Sequence, residues 1–173
     1  MSGATFKDLQ TTLSEQHEHI KALLQQVKDE HGAQREAAFA RLRGYLAAHE
    51  AAEEQRIHSS APAEGTDKHV VDERLAEETQ AGQAITDLES MDVDSAEFVE
   101  AYAKLATSVV RHAEAEEHQE LPLLQGTDEH ELGRMREALL RVPELAGQDT
   151  DASATFKQRL ESAKAQFAEP SVG

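Results

Sequence analysis

Two residue pairs in this chain join a base to a carboxylate at a regular spacing: His49 with Glu53, and His112 with Glu116. Each sets an imidazole four residues before a carboxylate, which puts both on one helix face, one turn apart. Each pair also prolongs an apolar stripe through identical steps. Phe39, Leu42 and Leu46 run on to His49 and Glu53, and Tyr102, Leu105 and Val109 run on to His112 and Glu116. The repeat is offset by 63 residues and reads His-Glu-Ala-Ala-Glu-Glu at 49–54 and His-Ala-Glu-Ala-Glu-Glu at 112–117. The donors therefore stand where a core should be.

Two further stripes are interrupted in the same way. His17 lies between Leu13 and Ile20, and Glu78 between Leu75 and Ile85. Buried ionisable groups are costly unless paired or bound to metal. No Lys or Arg holds a matching stripe position, although Arg74 borders the face of Glu78. A lone stripe histidine is ordinarily a satisfied core residue, and a lone His-x-x-x-Glu is often a surface pair. Two pairs in one phase behind one apolar pattern point instead to metal. Imidazole and carboxylate without sulfur suit iron or manganese, and facing helices with such donors are a known dinuclear design.

His58 is a seventh candidate. At 100° per residue it falls off the stripe, but its helix ends there, and five residues past Glu53 it could turn back to the metal. His69 falls opposite Glu78, beside Asp72 and Glu73. His19 and His118 lie off the apolar faces, and His31 and His130 at helix edges or loops.

Breakers and periodicity define the helices that carry these groups. Helices are predicted over about 5–30, 33–57, 68–91 and 96–120, then 128–140 and 153–167, the last with Asp151 or Ser153 as N-cap. Leu9, Leu13, Ile20, Leu24 and Val27 give the first helix its buried face, and Val71, Leu75, Ile85 and Leu88 the third. Four long helices with short connections predict an all-α antiparallel up-down four-helix bundle over 1–125. Residues 126–173 are expected to be C-terminal helices docking on that bundle through Phe156, Leu160, Ala163 and Phe167.

Composition narrows the function classes. The chain has 173 residues, 17 Lys and Arg against 34 Asp and Glu, a net charge of −17 and no cysteine. Thiolate sites, disulfides and thiol catalysis are excluded. Without a basic stretch the chain offers nothing to nucleic acid or an anionic membrane. No apolar run approaches the ~20 residues that span a bilayer. Residues 1–10 lack the features of a signal peptide, so a cytoplasmic address is expected.

The segments EQHEHIKALL at 15–24, HEAAEEQRI at 49–57 and HAEAEEHQELPLL at 112–124 resemble the hemerythrin family, specifically its HHE cation-binding domain. The resemblance covers about residues 5–125. It implies an antiparallel four-helix bundle holding two iron ions in a non-haem di-iron centre that binds dioxygen or reacts with hydrogen peroxide or nitric oxide. His17, His49, Glu53, His112 and Glu116 match family ligand positions. The chain departs at helix three, where Glu78 stands in place of the usual histidine and Gly82 in place of the second histidine of oxygen carriers. An added carboxylate favours Fe(III) over Fe(II) by charge, and Gly82 is expected to leave room for a small ligand. The expected function is therefore oxidative-stress defence, with peroxide decomposition as the candidate activity. The alternative is a non-catalytic module for oxygen or iron sensing or iron storage, and a third reading is a metal-free interaction protein.

Overall fold

The computed structural model describes residues 3–60, 66–148 and 151–168, which form helices and turns with no strand among them. Helix α1, Phe6–Asp29, starts at a capping box. The Thr5 hydroxyl accepts the Asp8 N–H at 3.2 Å, and the Asp8 carboxylate accepts the Thr5 N–H at 2.8 Å. The expected stripe of α1 is buried, with His17 among its apolar neighbours. Gly32 opens α2, Gly32–Ala52, with φ +56°, a left-handed conformation that favours glycine, and its N–H donates to Asp94 at 3.0 Å.

Buried Arg35 fastens that corner. Its guanidinium donates to the carbonyls of Val27, Glu30 and Val93 at 3.1, 2.6 and 2.8 Å, tying the α1–α2 turn to the segment before α4. Helices α3, Thr66–Glu89, and α4, Ala96–Ala115, complete the set that carries the histidine–glutamate stripes. Their interior has two ends. One is aromatic: Phe39 meets Phe98 edge-on at 5.4 Å, and buried Tyr102 donates its hydroxyl to the Leu24 carbonyl at 2.7 Å. The other end holds the histidines and carboxylates.

Helices α5, Glu129–Leu140, α6, Val142–Gln148, and α7, Phe156–Ala168, pack on the outside, α5 against α1, and α6 and α7 against α2. Helix α7 also touches α3, and buried Phe156, Ala163 and Phe167 face the bundle, with Leu160 half-buried. Glu89 gathers three of these helices, accepting from Arg43 of α2 at 2.5 Å and from the Phe156 N–H of α7 at 2.9 Å.

Three expectations need correction. The N-cap of α7 is Thr155: its hydroxyl accepts the Gln158 N–H at 3.2 Å, and the Gln158 side chain accepts the Thr155 N–H at 2.9 Å. Asp151 closes a turn on Ser153 instead. The stretch between the predicted helices 128–140 and 153–167 is itself a short helix, α6, because Pro143 in its first turn sacrifices no helical hydrogen bond. Gly82 makes no room for a ligand: a Cβ there would meet Phe156 Cε1 at 3.4 Å, so the space belongs to α7.

A candidate metal centre

The α2 and α4 stripes end in the same irregularity. Each α-helix gives way to one π-helical turn, Glu53–Ile57 after α2 and Glu116–Glu120 after α4, and then to a 3₁₀ turn, His58–Ser60 and Leu121–Leu124. The 63-residue repeat therefore extends to the backbone, and both π turns begin on a candidate glutamate. Such turns tend to mark functional sites. A π turn closes in five residues, so His58 comes back over Glu53, and its N–H bonds the Glu53 carbonyl. The wheel at 100° per residue cannot show this.

Six of the seven candidates, His17, His49, Glu53, His58, Glu78 and Glu116, are buried, and His112 is 15% exposed. Donor atoms within 4.8 Å of one another form three groups: His17, His49, Glu53 and Glu116; Glu53, His58 and Glu78; and His58, Glu116 and Glu120. His49 Nε2 lies 2.7 Å from Glu53 Oε1, and His17 Nε2 lies 3.3 Å from Glu116 Oε2 and 3.8 Å from Glu53 Oε1. His58 Nε2 lies 2.7 Å from Glu78 Oε1. His112 stands outside these groups, its Nε2 3.7 Å from both Glu78 Oε1 and Glu116 Oε2. Glu53, His58 and Glu116 each belong to two of these groups. His69, by contrast, is exposed and faces Glu73 at 3.3 Å, and His19, His31, His118 and His130 are exposed as well.

Every one of the four site histidines has its Nδ1 engaged and its Nε2 turned inward. His17 Nδ1 bonds Glu117 at 2.6 Å, His49 Nδ1 bonds Gln16 Oε1 at 2.9 Å, His58 Nδ1 bonds Glu120 at 2.5 Å and His112 Nδ1 bonds Glu77 at 2.8 Å. Gln16 is fixed in turn, donating to the Leu139 carbonyl of α5 at 2.5 Å. Metal-bound histidines are held in this way, which sets the tautomer and aims the other nitrogen. The sequence carried a signal for three of these partners. Gln16, Glu77 and Glu117 each adjoin a stripe residue, and a helix neighbour one step off a buried stripe reaches its edge.

Burial and neighbouring charges pull against each other throughout the site. Burial opposes charging His17, but its contacts with Glu116, Glu117 and Glu53 outweigh this and push it up to about 11. His58 is pushed up to about 12, burial again losing to Glu120 and Glu78. Burial lifts Glu78 to about 7 against the pull of His58. Glu116 is raised by burial and by Glu53, whereas Glu53 is held well below the ordinary range because His49 and His17 overcome its burial. Glu50, also buried here, is raised well above that range by burial, then by Glu78, Glu53 and Glu54.

Buried atoms without a hydrogen bond test what else the site accommodates. Among the described residues they include His112 Nε2, Glu53 Oε2, Glu116 Oε1, Glu78 Oε2 and Glu120 Oε2, and also His17 Nε2, Glu53 Oε1 and Glu116 Oε2, whose close histidine–carboxylate contacts lack hydrogen-bond geometry. Orphaned buried polar atoms are rare and call for a reason. Here they converge from several segments, and all but two are carboxylate oxygens, so the donor set fits cations. The hemerythrin HHE cation-binding domain matches residues 8–124, the span that holds every one of these groups. This chain belongs to that family. No curated relative and no solved structure matches it. Within this hemerythrin-type domain the match takes in α1 to α4 with both π turns, while α5 to α7 lie beyond it.

Proposed function

We propose that α1 to α4 form an antiparallel up-down bundle that holds two iron ions. The ions would react with dioxygen, hydrogen peroxide or nitric oxide, and peroxide removal would be the activity. The observation that carries this reading is the set of inward Nε2 and carboxylate atoms left without hydrogen bonds around Glu53 and Glu116. His17, His49, Glu53 and Glu116 would hold one ion, and His58, His112 and Glu78 the other, with Glu53 and Glu116 shared. Two irons so held supply one-electron redox chemistry and open positions for a small oxygen or nitrogen ligand.

The chain's own groups do the remaining work. Glu117, Gln16, Glu120 and Glu77 hold the imidazoles with Nε2 inward. Three anionic donors, Glu53, Glu78 and Glu116, favour the more highly charged iron state. The burial of all three keeps bulk water from screening that preference. The test is consumption of hydrogen peroxide by the iron-loaded protein. Consumption is expected, and His49→Ala should abolish it while helix content is retained. Iron-loaded protein that binds nitric oxide or dioxygen but leaves peroxide untouched would replace the peroxide activity with sensing or storage.

A further inference from the structure

The metal-candidate cluster forms one end of a larger pocket of about 400 Å³ among α1 to α4, which opens to solvent at a rim carrying Lys21, Lys104 and Arg111. Two ions and one small ligand would take about three water volumes at ~30 Å³ each, which leaves roughly 300 Å³. A diatomic ligand or a peroxide needs a small part of that. An apolar cavity of about 150 Å³ already accepts a benzene.

The lining explains both the size and the character of the space. One and two turns from the donors, α1 presents Ile20 and Leu24, α2 presents Leu46, and α4 presents Leu105. Between Glu78 and the fully buried Ile85, helix α3 presents Ala81 and Ala84 as its apolar residues, with Gln80 beside them. The short side chains of α3 leave the α3–α4 side unfilled over about two helical turns, roughly 10 Å. These six residues make the inner stretch apolar. At the donor end stands Glu50, a buried carboxyl. With Glu53, Glu77 and Glu78 beside it, that end disfavours an anion.

We propose that the domain binds an uncharged aliphatic molecule of about six to ten carbons in this cavity, its polar end toward the histidine–carboxylate cluster. A diatomic would leave most of this volume unfilled, the apolar inner wall offers a sugar or nucleotide few hydrogen bonds, and the carboxylates disfavour an anionic head group at the donor end. Binding here does not depend on the identity of the metal, so it stands or falls separately from the iron reading.

The probe is 1-octanol, titrated calorimetrically into the protein as purified, with octanoate as the charged control of equal chain length. Octanol is expected to bind at least tenfold more tightly than octanoate. Ala81→Leu and Ala84→Leu, which fill the space from α3, are each expected to weaken octanol at least tenfold while metal content is unchanged. No octanol binding up to its solubility limit overturns the proposal, as does undiminished binding in the folded variants. If neither variant folds, a crystal structure of the wild-type protein with 1-octanol decides: density between Ala81 and Leu105 supports the proposal, and its absence there overturns it.

Discussion

His58 Nε2 lies 2.7 Å from Glu78 Oε1, with both side chains almost wholly buried. The contact joins the π turn after α2 to the middle of α3, and a second bond at 2.5 Å from His58 Nδ1 to Glu120 brings in the π turn after α4. In the proposed centre this pair supplies one ion. His58→Ala and Glu78→Ala are each expected to lower metal content from two ions per chain toward one, measured by elemental analysis on folded protein. Full loading in both variants would remove this pair from the ligand set.

The apolar stripes were legible in the sequence because an α-helix keeps a constant phase, and buried Leu9, Leu13, Ile20, Leu42, Leu46 and Leu105 lie where that phase puts them. His17, His49, Glu53, Glu78, His112 and Glu116 were visible by the same logic, as polar interruptions of the stripes. His58 was ambiguous and Glu120 was missed, because a π turn adds a residue and shifts the phase of every position beyond it. Gly82 was misread for another reason. Its neighbour Phe156 comes from 74 residues further along the chain, and no local pattern reports such a contact.

Glu117 touches no proposed metal position, yet it holds His17 Nδ1 at 2.6 Å. Its side chain is 26% exposed, so Glu117→Ala should cost little stability. Metal affinity is nonetheless expected to fall about 10- to 100-fold, the usual effect of losing such a partner. Competition with a chelator measures it, and an unchanged affinity would show that His17 needs no such support.

Metal uptake should release protons. In the metal-free protein His17, pushed up to about 11, and His58, pushed up to about 12, both carry a second proton at pH 7. Ligation requires each Nε2 to lose it. About two protons per chain from these groups are expected at pH 7, read from calorimetric titrations in buffers of different ionisation enthalpy. The linked stability has a definite sign. Both values are raised above the unfolded ~6.5, so the stabilisation of the metal-free fold is complete below that pH. It is lost as pH rises through about 11 to 12.

Helix α7 closes the outer side of α2 and α3 through Phe156, which is 1% exposed. Phe156→Ala is expected to destabilise the protein by about 3–5 kcal/mol, the usual cost of emptying such a site. Denaturant unfolding checks this. A loss under about 1 kcal/mol would mean that α7 contributes little to the bundle.

The central claim is a pair of ions held by these residues. Protein expressed with iron available should contain two irons per chain, and a Mössbauer spectrum should show a magnetically coupled pair. His49→Ala should reduce the count while the helices remain. A single zinc per chain, or a single uncoupled iron in the wild-type protein, would contradict it.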